Sequence, residues 1–208
     1  MLKFISVIVL SYLFGSIPWS LVIGKVFFNK DIRKEGSGNL GGTNAGRVLG
    51  KKAGITVILL DALKGFFSMM LAATIAPDAI IYAGLACCIG HCFPIFAGFK
   101  GGKAVATSFG FLLGIATFIN GQYFFELILP LLIFIISLYL YRMVSLSSII
   151  ALGSSIIISL CINNPLSITI STLILWIFVV IRHHANIQRI LDGSECKIQW
   201  MGKPLWEK

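Results

Sequence analysis

Residues 122–162 read QYFFELILPLLIFIISLYLY, then Arg142-Met143, then VSLSSIIALGSSIIISLCI. The two runs hold 20 and 19 residues, and the only charges in the whole stretch are Glu126 and Arg142. A helix needs about 20 apolar residues to cross the hydrocarbon core of a bilayer. The pair therefore reads as two spanning helices joined by a two-residue turn. On either side, further apolar runs lie at roughly 2–23, 53–76, 79–98, 104–119 and 165–181, with short polar breaks between them. In lipid the backbone must satisfy its own hydrogen bonds, which leaves helices, and the alternation of a barrel strand is absent. The expected fold is an all-α integral membrane protein with seven transmembrane helices, one polytopic domain over 1–208. Residues 91–103 need separate treatment. His91 and Pro94 interrupt the third run, and the fourth holds only 16 residues, about 24 Å of helix. A partly re-entrant segment is possible there if it is buried in protein or lines a wet cavity.

Composition agrees. Of 208 residues, 57% are apolar and 12% charged, with a mean hydropathy of +0.93. A soluble domain carries about 45–50% apolar and about 25% charged residues. An ordinary soluble globule, a disordered tail and a secreted disulfide scaffold are excluded, and little length is left for an appended soluble domain. The first 23 residues superficially resemble a signal peptide, but the run is too long and Lys25 stands where a small-residue cleavage site would be. A retained first helix is expected. The five cysteines, Cys87, Cys88, Cys92, Cys161 and Cys196, form no CxxC pair and no metal quartet. They read as small apolar packing residues.

The net charge of +9 would suggest nucleic acid on a soluble protein. Here it reads as positive-inside bias, attraction to anionic lipid headgroups, or anionic substrates, with no nucleic-acid partner. The breaks after runs one, three, five and seven hold fifteen of the seventeen Lys and Arg residues. The opposite face offers Lys3, Asp78 and Glu126. That asymmetry predicts an external amino terminus and a cytoplasmic carboxyl terminus.

Three polar segments then fall on the cytoplasmic side. The first, GSGNLGGTNAGRVLG at 36–50, surrounds Arg47 with glycines and hydroxyls. Successive N–H groups in such a loop can form an anion-binding nest, although a flexible loop would look the same. Its GxGxxG string is a weak signal without a preceding strand. The second, GHCFPIFAGFKGGKAVAT at 90–107, places Gly101-Gly102 between Lys100 and Lys103 just before an apolar helix. Unpaired N–H groups at a helix start favour a negative ligand, while interfacial snorkelling lysines are the plain alternative. The third, RHHANIQRILDGSE at 182–195, crowds Arg182, His183, His184, Asn186 and Arg189 after the last run. If that helix continues, His183 and Asn186 share a face, whereas the adjacent histidines diverge and make no metal pair. Asp61 and Lys64 lie three apart inside the second run, where a structural ion pair is favoured over substrate contact.

Together these segments resemble the acyl-phosphate:glycerol-3-phosphate acyltransferase family (PlsY type) of bacterial phospholipid synthesis. Its GSGNxGxTNxxR pattern is matched by Gly36, Ser37, Gly38, Asn39, Gly41, Thr43, Asn44 and Arg47. GHxFPxFxxFKGGKxVAT is matched from Gly90 to Thr107, and RHxxNIxRxxxGxE by Arg182, His183, Asn186, Ile187, Arg189, Gly193 and Glu195. Asp61-Lys64-Gly65 and Ser145 after Arg142 are similar as well. Gly42 stands where alanine is common and Ala104 where glycine is common.

The resemblance implies an inner-membrane enzyme with a cytoplasmic active site and no cofactor. It would move a fatty acyl group from acyl phosphate to the 1-hydroxyl of sn-glycerol 3-phosphate, giving lysophosphatidic acid and phosphate. Membrane lipids would surround it, and functional coupling to the enzyme that makes acyl phosphate is implied. The expected catalytic set is Ser37, Arg47, Lys103, His183 and Asn186. Asn39, Thr43, Asn44, Gly101, Gly102 and Ser145 are expected to bind substrate, with the Gly101 and Gly102 amides cradling phosphate. Glu195, Asp61 and Lys64 are expected to be structural, and no metal site is expected. The donor is already activated, so positioning two anions and stabilising charge is the main demand. His183 could accept the hydroxyl proton, or a substrate phosphate could take it; the phosphate-oriented loops favour the second. Ser37 as a covalent nucleophile is a rival reading.

Two other classes compete. An anion transporter predicts polar residues running through the bilayer, whereas here they cluster at one face. A lipid-binding scaffold predicts binding without turnover. A CDP-alcohol phosphotransferase needs a DxxDG aspartate series that the chain lacks.

Overall fold

The computed structural model describes residues 1–198. The carboxyl terminus itself, with the basic residues Lys203 and Lys208 counted above, lies outside them. All regular structure among the described residues is helical. The chain divides after Asn120 into two units.

The first unit begins with α1 (Leu2–Gly15) and α2 (Trp19–Phe28), bent by 41°. The break sits at Ser16-Ile17-Pro18, where Pro18 cannot donate a backbone hydrogen bond and disfavours helix in the residue before it. A short α3 (Gly42–Val48) lies in the first polar segment, followed by the long α4 (Lys51–Ile75). Next come α5 (Ile80–Cys92) and α6 (Val105–Ile115), the latter running on through a π turn to Asn120. α1 packs on α4 and α5, and α6 packs on α4. A Cβ at Gly110 would collide with the carbonyl oxygen of Ala62, and Gly114 lies against the Met69 side chain. This GxxxG pair therefore sets the close α4–α6 crossing within the chain, as small residues do in membrane interfaces.

The second unit holds α7 (Leu129–Tyr141), α8 (Val144–Cys161), α9 (Leu166–Arg182) and α10 (His184–Leu191). Arg142 makes the α7–α8 turn with φ +59°, and its guanidinium sits 4.6 Å from the centroid of the Tyr139 ring. Hydroxyls inside α8 bond to the carbonyls one turn back, Ser147 to Met143 and Ser148 to Val144, which satisfies them without water. At the opposite end of α8, the Asn164 amide donates to Glu126 and to Ser159, and Ser159 pairs with Thr169.

Every apolar run in the sequence is mostly helical, with breaks inside the runs at 2–23 and 79–98. Four helical stretches are long and apolar enough to cross a membrane: Lys51–Ile75, Pro77–Ala97, Phe124–Tyr141 and Val144–Cys161. There are six if each bent pair, α1 with α2 and α9 with α10, counts as one span. Val105–Asn120 is apolar but shorter.

Candidate active site

The first polar segment is organised by Asn44. Its side chain is buried; Oδ1 accepts the Ser37 N–H at 2.9 Å, while Nδ2 donates to the carbonyls of Glu35 at 3.1 Å and Ile32 at 3.4 Å. The amide expected to meet substrate is thus spent on pinning the 32–37 loop to α3. Asn39 Oδ1 accepts the Gly41 N–H at 2.9 Å and shapes the entry to that helix. On the outer face of α3, Thr43 and Arg47 stand one turn apart and exposed, and Ser37 is exposed on the loop. Nearby acids are already committed. Asp31 chelates Arg33 through both oxygens, and Lys30 pairs with Glu35. The Arg33 hydrogen bond holds the Asp31 carboxyl below the usual carboxylate range. Arg47 has no acidic partner among the described residues.

The second segment folds back on the end of α5. The Gly101 N–H donates to the Cys92 carbonyl at 3.2 Å and the Gly102 N–H to the His91 carbonyl at 3.0 Å. Both amides close the loop onto the end of α5. Glycine is required because a Cβ at 101 would meet the His91 carbonyl and one at 102 the His91 ring. Lys103 follows, half-buried, and Lys100 is exposed. Ala104 caps α6 in the left-handed region at φ +59°, a conformation costing a non-glycine residue about 1–2 kcal/mol.

Beneath the segment lies the charged group inside α4. Lys64 Nζ is 2.9 Å from Asp61 Oδ1, and both are almost completely buried. The ion pair is as expected, but it has two further members. Lys64 donates to the Ile17 carbonyl at 3.2 Å, and His91 Nδ1 lies 3.4 Å from Asp61 Oδ1. His91 was visible in the second motif, yet nothing in the sequence assigns it a role; the contact joins residues thirty apart on different helices.

The first two segments share one apolar cluster. Ala45 of α3, Leu49 just after it, and Ile32 and Leu40 of the loop pack with Leu21, Ile23, Val57 and Ala97. Ala97 belongs to the second segment, so one core carries the stretches bearing Arg47 and Lys103.

The third segment is built within the second unit. The helix does not continue: it breaks at His183, with 62° between α9 and α10. His183 Nδ1 faces the Val179 carbonyl at 2.8 Å. A carbonyl only accepts, so Nδ1 is the donor of this bond. Glu195 gathers its neighbours: Ser145 Oγ and Asn186 Nδ2 both reach Oε1 at 2.6 Å, and Arg189 Nε reaches Oε2 at 2.8 Å. Partial burial pushes the Glu195 carboxyl up, but these donors outweigh it and hold it below the ordinary value. Glu195 is the clasp joining the start of α8 to α10 and the tail, and Ser145 and Asn186 are both engaged by it.

No group of three metal-binding side chains exists among the described residues. None of the five cysteines forms a disulfide.

Known proteins resemble this chain along most of its length. Residues 5–193 match the model of the glycerol-3-phosphate acyltransferase family. The chain is 43% identical over 198 residues to the glycerol-3-phosphate acyltransferase of Geobacillus kaustophilus, covering 95% of this chain and 97% of that protein. It is 46% identical over 194 residues to that of Macrococcus caseolyticus, covering 93% and 96%. It is also similar to the crystal structure of PlsY (YgiH), an integral membrane glycerol 3-phosphate acyltransferase, in its glycerol 3-phosphate form. There the TM-score is 0.84 at 34% identity, covering 94% of this chain and 95% of that one. The lysophosphatidic acid form of that protein gives 0.82 at 32% identity, with the same coverage.

Proposed function

The chain belongs to the glycerol-3-phosphate acyltransferase family, and on that premise we propose that its donor is acyl phosphate and its product lysophosphatidic acid. The 1-hydroxyl oxygen of sn-glycerol 3-phosphate attacks the acyl carbonyl carbon. The carbon–oxygen bond to phosphate breaks, and inorganic phosphate leaves with the hydroxyl proton. The observation that carries this reading is the shared core placing Arg47-bearing α3 and the Lys103 loop on one scaffold. Two fixed cations suit a reaction whose donor is already activated and whose leaving group gathers negative charge.

In this reading Arg47, Ser37 and Lys103 bind phosphate, with Thr43 beside them. Arg supplies a bidentate fork and Lys a point charge. His183 and Asn186 orient the glycerol acceptor, and a substrate phosphate oxygen takes the proton. The chain crosses the bacterial inner membrane seven times, counting the short Val105–Asn120 helix, with its amino terminus outside and the site facing the cytoplasm. Its supply of acyl phosphate comes from a neighbouring enzyme that makes it.

Purified protein given glycerol 3-phosphate and, separately, palmitoyl phosphate, palmitoyl-CoA and palmitoyl-acyl carrier protein tests the donor. Lysophosphatidic acid and phosphate in equal amounts are expected from the first alone. Turnover with either thioester, and none with palmitoyl phosphate, would refute it.

A further inference from the structure

We propose that His91, held by Asp61, is a positioning residue that sets the Gly101-Gly102 step from which Lys103 is presented; the inference rests on Lys103 being a phosphate contact. Three interactions converge on this residue at the end of α5. Its ring is buried, with Nδ1 toward Asp61 Oδ1 at 3.4 Å. Its carbonyl oxygen accepts the Gly102 N–H at 3.0 Å. Its ring also lies against the α-carbon of Gly102, where an added methyl would strike Nε2 first and then Cε1 and Cδ2.

The chemistry argues for orientation over simple space-filling. Asp61 is already neutralised by Lys64 at 2.9 Å, so His91 is not needed to balance its charge. What the carboxylate adds is a fixed negative charge 3.4 Å from one ring nitrogen, and that contact turns the Nδ1 edge of the imidazole toward α4. The opposite edge of the ring then forms a flat support for a residue with no side chain. Beyond that support the chain has one residue, Lys103, before α6 begins its entry at Ala104. The Asp61–His91 contact thus transmits the rigidity of α4, the longest helix, to the loop carrying the cation.

Four variants test this, each measured as activity per folded protein eluting as a single detergent-solubilised peak. His91→Ala should lower kcat/KM by about 10–100-fold, the usual penalty for a misplaced catalytic group. His91→Asn places an amide N–H where Nδ1 stands and should recover most of that loss. Gly102→Ala reaches the same contact from the other side and should also be impaired. Combined with His91→Ala, its methyl has room, so the double variant should lose far less than the product of the two single losses. A role in bulk folding alone would show neither the asparagine rescue nor that coupling. His91→Ala or Gly102→Ala at wild-type activity, or losses that simply multiply, would overturn the proposal. A Lys103→Met control separates the two claims. If it turns over normally, the phosphate-site reading itself fails. If it is inactive while His91→Ala is normal, only the positioning role fails.

Discussion

Lys103→Met and Arg47→Met should each leave a folded protein with kcat/KM lowered by at least about 10²–10³-fold, the typical effect of removing one preorganised charge-stabilising donor. Arg47 is exposed on α3 with no acidic partner among the described residues, and Lys103 follows a loop already closed by backbone bonds from Gly101 and Gly102. In the proposed reaction each cation would act where phosphate charge accumulates as the anhydride opens, and Met keeps the length of the stem while deleting the charge. Arg47→Lys should remain impaired, because a point charge does not reproduce a bidentate fork. The check is steady-state turnover beside a size-exclusion profile. Near-wild-type rates would remove the residue from the site.

Lys64→Met should be worse still, and for a different reason. Asp61 and Lys64 are almost completely buried, 2.9 Å apart. Deleting one partner of a buried pair costs about 3–5 kcal/mol because the other charge is left uncompensated. Here the loss also orphans the Ile17 carbonyl at the α1–α2 bend. Folded protein should largely disappear from the detergent extract. Asp61→Asn combined with Lys64→Met should restore much of it, since no buried charge then remains unpaired. A single variant as stable as wild type would show that the pair is not what holds α4 to the α1–α2 bend.

These two sites show how far the sequence could be read. The apolar runs at 53–76, 144–162 and 165–181 correspond to Lys51–Ile75, Val144–Cys161 and Leu166–Arg182. Lipid leaves a long apolar segment only one way to satisfy its backbone, so run length predicts helix directly. The expected pairing of Asp61 with Lys64 also follows from spacing, because three residues is one turn. Local rules failed where the partner is distant. The run at 2–23 is two helices, broken by a proline that hydrophobicity outweighed in the reading. His183 and Asn186 do not lie on one continuous helix, because the chain turns at His183. Composition showed that Gly101 and Gly102 allow close approach, but not that their amides are spent on Cys92 and His91. Asn44 likewise read as a ligand-facing amide, and only the folded loop reveals its donors and acceptor bound to 32, 35 and 37. In each case the chemistry of the residue was legible and its partner was not.

The central claim is that Arg47 and Lys103, carried on stretches that share one apolar core, grip the phosphate groups of the substrates. An experimental structure with glycerol 3-phosphate and a non-hydrolysable acyl phosphonate bound at once tests it most directly. The account predicts Arg47 and Lys103 on phosphate or phosphonate oxygens. Ligands whose phosphate and phosphonate oxygens touch neither residue would contradict it.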